Sequence, residues 1–225
     1  MRMRGWWRSG GLLVLAALVA SGCARDETVA AQAPALVYRP AVAPEPWPPR
    51  LGEPYPDLQL VDQTGRPFTL SSLKGSVILL EAIGMTCPAC QAFAGAHRVG
   101  SFGPVEPAGG MQSIDELVPQ YAKGVTFPSK DLVLVQLLLF DMKLGPPSVD
   151  DARAWAEHFH RDRTRFQVVL AGGPGLHNQA SYDMVPGFQL IDRNFVLRSD
   201  ATGHRPHDSL YRDLLPLVPT LIAGG

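Results

Sequence analysis

The chain has 225 residues, 46% hydrophobic and 18% charged, enough for one domain with a substantial core plus flanking segments. A formal net charge of −1, with no basic stripe interleaved with aromatics, argues against a nucleic-acid partner. There is no phosphate-cradling GxxxxGK, no GxSxG and no internal repeat, while 21 prolines and 22 glycines are a high load.

The first segment reads as targeting. Arg2, Arg4 and Arg8 make a basic start, and Gly10 to Ala20 is an apolar run of eleven residues. That is too short for a bilayer, which takes about 20. The run ends in VASGC. Small residues before Cys23 resemble the lipobox of bacterial lipoproteins, and the resemblance implies a signal peptide over 1–22. It also implies lipid on Cys23 and attachment to a membrane surface outside the cytoplasm, in the periplasm. Ordinary signal cleavage beside an idle Cys23 is the alternative. Losing residues 1–22 removes three arginines and no acid, so the net charge moves from −1 to −4. Residues 23–54, rich in Ala and Pro, read as a tether. The folded domain is expected over 55–222, with an insertion at about 100–129.

Within the domain, DLQLVDQTGRPFTL alternates around Gln63-Thr64-Gly65 and predicts a β-hairpin. SVILLEAI predicts a buried strand, too apolar for a solvated face. Pro88 suits the first turn of a helix running to about Arg98. The Gly/Pro-rich stretch 100–129 holds one short helix, Ile114 to Ala122, interrupted or bent at Pro119. DLVLVQLLLF is the next strand, and SVDDARAWAEHFHRD has a Ser cap followed by helical spacing of Ala152, Trp155, Ala156 and Phe159. FQVVLA is a short strand, and GGPGLHNQASYD a loop. VPGFQLIDRNFVLRSD predicts two strands joined at Asp192–Asn194. A last helix from about Asp208 should end or bend at Pro216 and Pro219. This alternation predicts an α/β fold with a central mixed sheet flanked by helices.

If Cys23 carries lipid, Cys87 and Cys90 remain as the only thiols, each the other's sole intramolecular partner in an oxidising compartment. They stand as CPAC directly after the apolar strand. From Pro56 to Leu215, element order and motifs together resemble the thioredoxin-like superfamily, specifically its membrane-tethered redoxins of the TlpA/ResA and SCO type. PDLQLVDQTGRPFTLSSLKGSVILLE matches the opening hairpin and first core strand, CPAC the strand-to-helix junction, and VPGFQLID the segment bearing a cis-proline. Glu81 is an acid six positions before the first cysteine.

That resemblance implies a thiol–disulfide oxidoreductase with no cofactor beyond a redox-active Cys87–Cys90 disulfide. Its partners would be protein thiols and disulfides, in cytochrome c maturation or metalloprotein assembly. Cys87, at an exposed helix N-terminus, would be the nucleophile, and Cys90 the resolving thiol. Glu81, if buried beneath the pair, would exchange a proton with Cys90; a salt-bridged strand residue is the other reading. Val185 and Pro186 would bind substrate, with a cis Pro186 turning the Val185 backbone toward the client; an ordinary trans proline is the alternative. The neighbours Met85 and Thr86 depart from thioredoxin, which has a tryptophan there. The Pro-Ala pair inside the motif leaves redox direction open.

The SCO-like alternative is copper delivery through Cys87 and Cys90. SCO proteins use CxxxC and a histidine shortly before the late strands; here the spacing is CxxC, and SYDMVPGFQLID has no histidine. His177, His97 and Met85 are the remaining soft-ligand candidates. Structural zinc would need a second cysteine pair. His158 and His160 are expected on different sides of a helix, and His204 and His207 in a loop. No metal site is predicted.

Overall fold

The computed structural model describes residues 46–224. The lipobox, Cys23 and most of the expected tether lie outside these residues.

Seven strands form one sheet: β1 (Gln59–Asp62), β2 (Pro67–Thr69), β3 (Val77–Gly84), β4 (Leu132–Phe140), β5 (Gln167–Ala171), β6 (Gly187–Ile191) and β7 (Leu197–Thr202), in the order β2-β1-β5-β4-β3-β6-β7. β3, β4 and β5 are mutually parallel; β1, β6 and β7 join antiparallel. The three parallel strands and β6 are buried at every position, so both faces must be covered. From β3 to β4 to β5 the chain steps steadily one way. Right-handed crossovers therefore put α1 (Pro88–Ala94) and α4 (Val149–His158) on the same face. Period-two alternation then sorts the core. Ile78, Leu80 and Ala82 of β3 pack with Tyr55, Leu58, Phe68, Leu176 and Met184 on one face. Val77, Leu79 and Ile83 pack against the helices on the other.

Several local expectations are corrected. The helix after CPAC stops at Ala94, because Gly95 is left-handed (φ +105°); a separate turn, α2 (Ala96–Val99), follows. In α3 (Ile114–Tyr121), Pro119 is accommodated without ending the helix, which a Ser113/Glu116 capping box starts. The supposed loop before VPGFQLID contains a short helix, α5 (Gln179–Asp183), capped by the Asn178 side chain. At the C-terminus a π-helical turn, Leu210–Leu214, leads into α6 (Leu215–Ala223). Pro216 sits in its first turn, where no N–H is missed, and the helix runs on through Pro219. Finally, Trp47 to Pro54 belongs to the packed body, although its proline content reads as tether. Trp47 donates from Nε1 to Ser181 Oγ (2.9 Å), Gly52 N–H donates to Leu197 O, and Pro54 bridges to Val196.

Candidate active site

The cysteine pair is positioned by where β3 ends. Met85 N–H donates to Phe140 O (2.9 Å) as the last link to β4, and Cys87 N–H donates back to Gly84 O (2.9 Å), closing a tight turn. Cys87 is the N-cap of α1, with extended backbone (φ −81°, ψ 120°), and Pro88 opens the helix. Helix starts carry N–H groups without intrahelical acceptors, and here the Cys87 sulfur takes one: Cys90 N–H at 3.3 Å. The Cys90 thiol is the largest stabilising donor, and the Cys90 and Ala89 backbone add to it. Against partial burial, these bring the Cys87 thiol down from 9.0 to about 7. Cys90 is fully buried, its Sγ 3.9 Å from Ala82 O. Burial first, then Cys87 and Glu81, push its thiol well above the ordinary value. One turn of helix thus separates a half-buried, easily ionised sulfur from a buried, proton-holding one.

Glu81 lies beneath them by strand periodicity. It shares a face with Leu79 and Ile83, the side covered by α1, and its parallel neighbour in register is Gln136 of β4. The amide of Gln136 is oriented from behind: Trp155 of α4, which can only donate, gives its Nε1–H to Gln136 Oε1 (3.3 Å). Gln136 Nε2 is left to donate to Glu81 Oε2 (2.8 Å). Glu81 is fully buried, its Oε1 has no partner, and no ion pair among the described residues includes it. Burial lifts its carboxyl from 4.5 to about 8, opposed by the Gln136 hydrogen bond and by Arg161. Of the two readings of Glu81, the salt-bridged one is absent from the geometry.

Gln91, which sequence reasoning passed over, is a third buried polar residue at the site. It donates to Met85 O (2.8 Å) and Phe102 O (3.2 Å) and accepts from Phe102 N–H (2.9 Å), tying the segment after residue 100 to the turn that carries Cys87.

The Val185–Pro186 peptide is cis, as the family resemblance implied; Trp47–Pro48 and Phe127–Pro128, also cis, were not expected. Val185 and Cys87 flank Gly84: a Cβ placed there would stand 3.4 Å from Val185 Cγ1 and 3.8 Å from Cys87 Cβ. A CPAC turn between β3 and α1, opposite a cis-proline leading into β6, on this strand order, decides the architecture. The chain has the thioredoxin-like fold.

Comparison with solved structures agrees with this fold. A candidate electron transfer protein from Aquifex aeolicus VF5 superposes with a TM-score of 0.52 at 17% identity, covering 78% of this chain and 100% of that one. A candidate electron transport protein from the same organism gives 0.51 at 18%, with the same coverage. The thioredoxin domain of a thiol-disulfide oxidoreductase from Bacteroides vulgatus gives 0.46 at 16%, covering 75% and 98%. At such identities the likeness to the two Aquifex proteins speaks to the fold alone. No family model and no curated protein matches the chain.

Within the thioredoxin-like fold, the backbone facing Cys87 is less open than the sequence implies. Val185 N–H is already given to Tyr182 O of α5 (3.1 Å), and Pro186 O accepts from Gly203 N–H (2.8 Å). Among the described residues the Val185 carbonyl has no such bond. Of the soft-ligand candidates, the two histidines are hydrogen-bonded to backbone carbonyls, and Met85 lies in the same buried cluster as Cys90. His97 Nε2 is bonded to Ala108 O (2.9 Å), His177 Nε2 to Leu144 O (2.8 Å), and Met85 is fully buried in the core. His158 is bonded to Gly100 O, and His207 to Asp208. Among the described residues no three His, Cys, Asp or Glu side chains gather as a metal-binding group.

Proposed function

We propose that the protein is a thiol–disulfide oxidoreductase acting on protein cystines, with Cys87 as nucleophile and Cys90 as resolving thiol. The observation that carries the reading is the asymmetry of the pair: Cys87 half-buried with its thiol brought down to about 7, Cys90 sealed above a buried carboxyl with one unpartnered oxygen. The Cys87 thiolate attacks one sulfur of a client disulfide, forming a mixed disulfide and expelling a client thiolate. Glu81, in the fraction that is ionised, then takes the Cys90 proton, and Cys90 attacks Cys87 Sγ. The Cys87–Cys90 disulfide forms, and the second client thiolate leaves. Two electrons pass to the client, and a dithiol reductant must restore the pair. The same steps in reverse oxidise a dithiol client. Val185 offers its carbonyl for a client N–H.

The test is reduction of insulin disulfides with dithiothreitol as the terminal reductant. Turnover should exceed that of dithiothreitol alone and vanish in Cys87→Ala. Parent protein no faster than the small reductant would overturn the reading.

We further place the protein outside the cytoplasm, held to a membrane by lipid on Cys23, on the strength of the basic start, the short apolar run and VASGC. None of the helices among the described residues is long and apolar enough to cross a membrane. Cys23→Ala should shift the protein to the soluble fraction or leave it uncleaved; a processed variant that still sediments with membranes would contradict the anchor. Clients there would be proteins whose paired cysteines must be reduced before use, as in cytochrome c maturation or metalloprotein assembly.

A further inference from the structure

The segment before β1 reaches further than its own pairing requires. Residues 52–54 are already held to the start of β7: Gly52 N–H donates to Leu197 O (2.8 Å), Leu197 N–H to Glu53 O (3.1 Å), and Pro54 bridges to Val196. Trp47, upstream of these, crosses instead to α5, where its Nε1–H donates to Ser181 Oγ (2.9 Å). Ser181 is fully buried, and the indole is the partner its hydroxyl has among the described residues. A buried hydroxyl costs stability unless it is hydrogen-bonded, a cost that an apolar filler would avoid. A helix of five residues is not stable by itself. The place of α5 is therefore set by its ties: Asn178 Oδ1, which accepts from Ser181 N–H (3.0 Å), the Tyr182 ring edge-on to Phe140, and Trp47.

From there α5 runs directly into the backbone opposite Cys87. Ser181 O accepts from Met184 N–H (3.2 Å), and Tyr182 O from Val185 N–H (3.1 Å). Trp47 and Val185 both pack against the core cluster that holds Leu176 and Met184. Val185 in turn stands with Cys87 around Gly84. We propose that Trp47 is a positioning residue for exchange with protein clients: its bond to Ser181 fixes α5, and α5 fixes the Val185 carbonyl that pairs with the client backbone. This deepens the exchange reading above and rests on it. Trp47 has no place in the cluster around the two cysteines, so its bond bears on a client only through Val185. A small disulfide has no backbone to pair and reaches Cys87 without that carbonyl.

The experiment mixes pre-reduced protein with insulin or with bis(2-hydroxyethyl) disulfide and follows oxidation of the cysteine pair by acid quench and mass spectrometry. Trp47→Phe keeps an aromatic ring and removes the N–H; Ser181→Ala removes the acceptor. Each should slow the reaction with insulin about three- to tenfold, the scale of one hydrogen bond that holds the competent arrangement, and leave the small-disulfide rate unchanged. The double variant should be no slower than the slower single one, because both changes delete the same bond. Equal slowing with both oxidants, an unchanged insulin rate, or losses that add in the double variant would overturn the proposal. If one single variant does not fold, the ratio of the two rates in the other decides. A parent protein inactive on insulin would remove the exchange reading and this role with it. An active parent whose variants keep its ratio of rates would remove the role of Trp47 alone.

Discussion

Cys90→Ser is expected to turn the protein into a trap: client proteins should accumulate as mixed disulfides on Cys87 and persist until a small thiol is added. Cys87→Ser should trap nothing and reduce insulin at the background rate. The difference follows from placement. The Cys87 sulfur at the helix start is half-buried and takes hydrogen bonds from Cys90 and Ala89, so a large share is thiolate at neutral pH. Cys90 is fully buried and can attack only a sulfur already on Cys87. Because the two sulfurs act as one unit, the double variant should be no slower than Cys87→Ser alone. The check is non-reducing electrophoresis with mass spectrometry of the adducts. Adducts on Cys90 in Cys87→Ser would reverse the assignment.

Glu81→Gln carries the second large effect. Removing the buried proton acceptor should slow release of the mixed disulfide by about 10²- to 10³-fold, the scale of general-base contributions, while leaving formation of the mixed disulfide nearly unchanged. Rapid-quench kinetics separates the two steps. The same substitution alters stability in a defined direction. A carboxyl whose folded-state value is raised from 4.5 to about 8 holds its proton in the native state after the unfolded chain has released it. Its favourable contribution is therefore fully present below about pH 4.5 and is lost progressively as pH rises toward 8. The loss is on the order of 5 kcal/mol. Denaturant unfolding of the reduced protein should show that decline, and Glu81→Gln should flatten it, most visibly at pH 8. Parallel pH profiles would mean that Glu81 is ionised in the native state across the range.

How much of this was legible in the sequence depends on whether the deciding contact is local. The apolar run SVILLEAI, the CxxC behind it and Pro88 at the first helical position are neighbours in the chain, and they placed the strand, the turn and the helix start. Gln136 was visible as a lone polar residue in LVLVQLLLF. Its role was not, because the Glu81–Gln136 pairing exists only once β4 lies parallel to β3 in that register. Arg161 was hidden for the opposite reason: in HFHRDRTR it reads as one of several solvent-facing charges, and only the return of α4 past Ala94 and Asp115 buries it. The five-residue α5 is too short for a periodic signal, yet its Tyr182 carbonyl takes the N–H of Val185. Trp47, set among prolines, carried no periodicity, although the indole is anchored on Ser181.

The asymmetry of the two thiols is most directly tested by alkylating the fully reduced protein with iodoacetamide across pH 5 to pH 10, with the modified cysteine identified by mass spectrometry. Cys87 should react first at every pH, its rate rising through a midpoint of about 7, while Cys90 stays unmodified until the protein unfolds. Reaction at Cys90 ahead of Cys87, or a Cys87 midpoint at the ordinary thiol value of 9.0, would contradict the account.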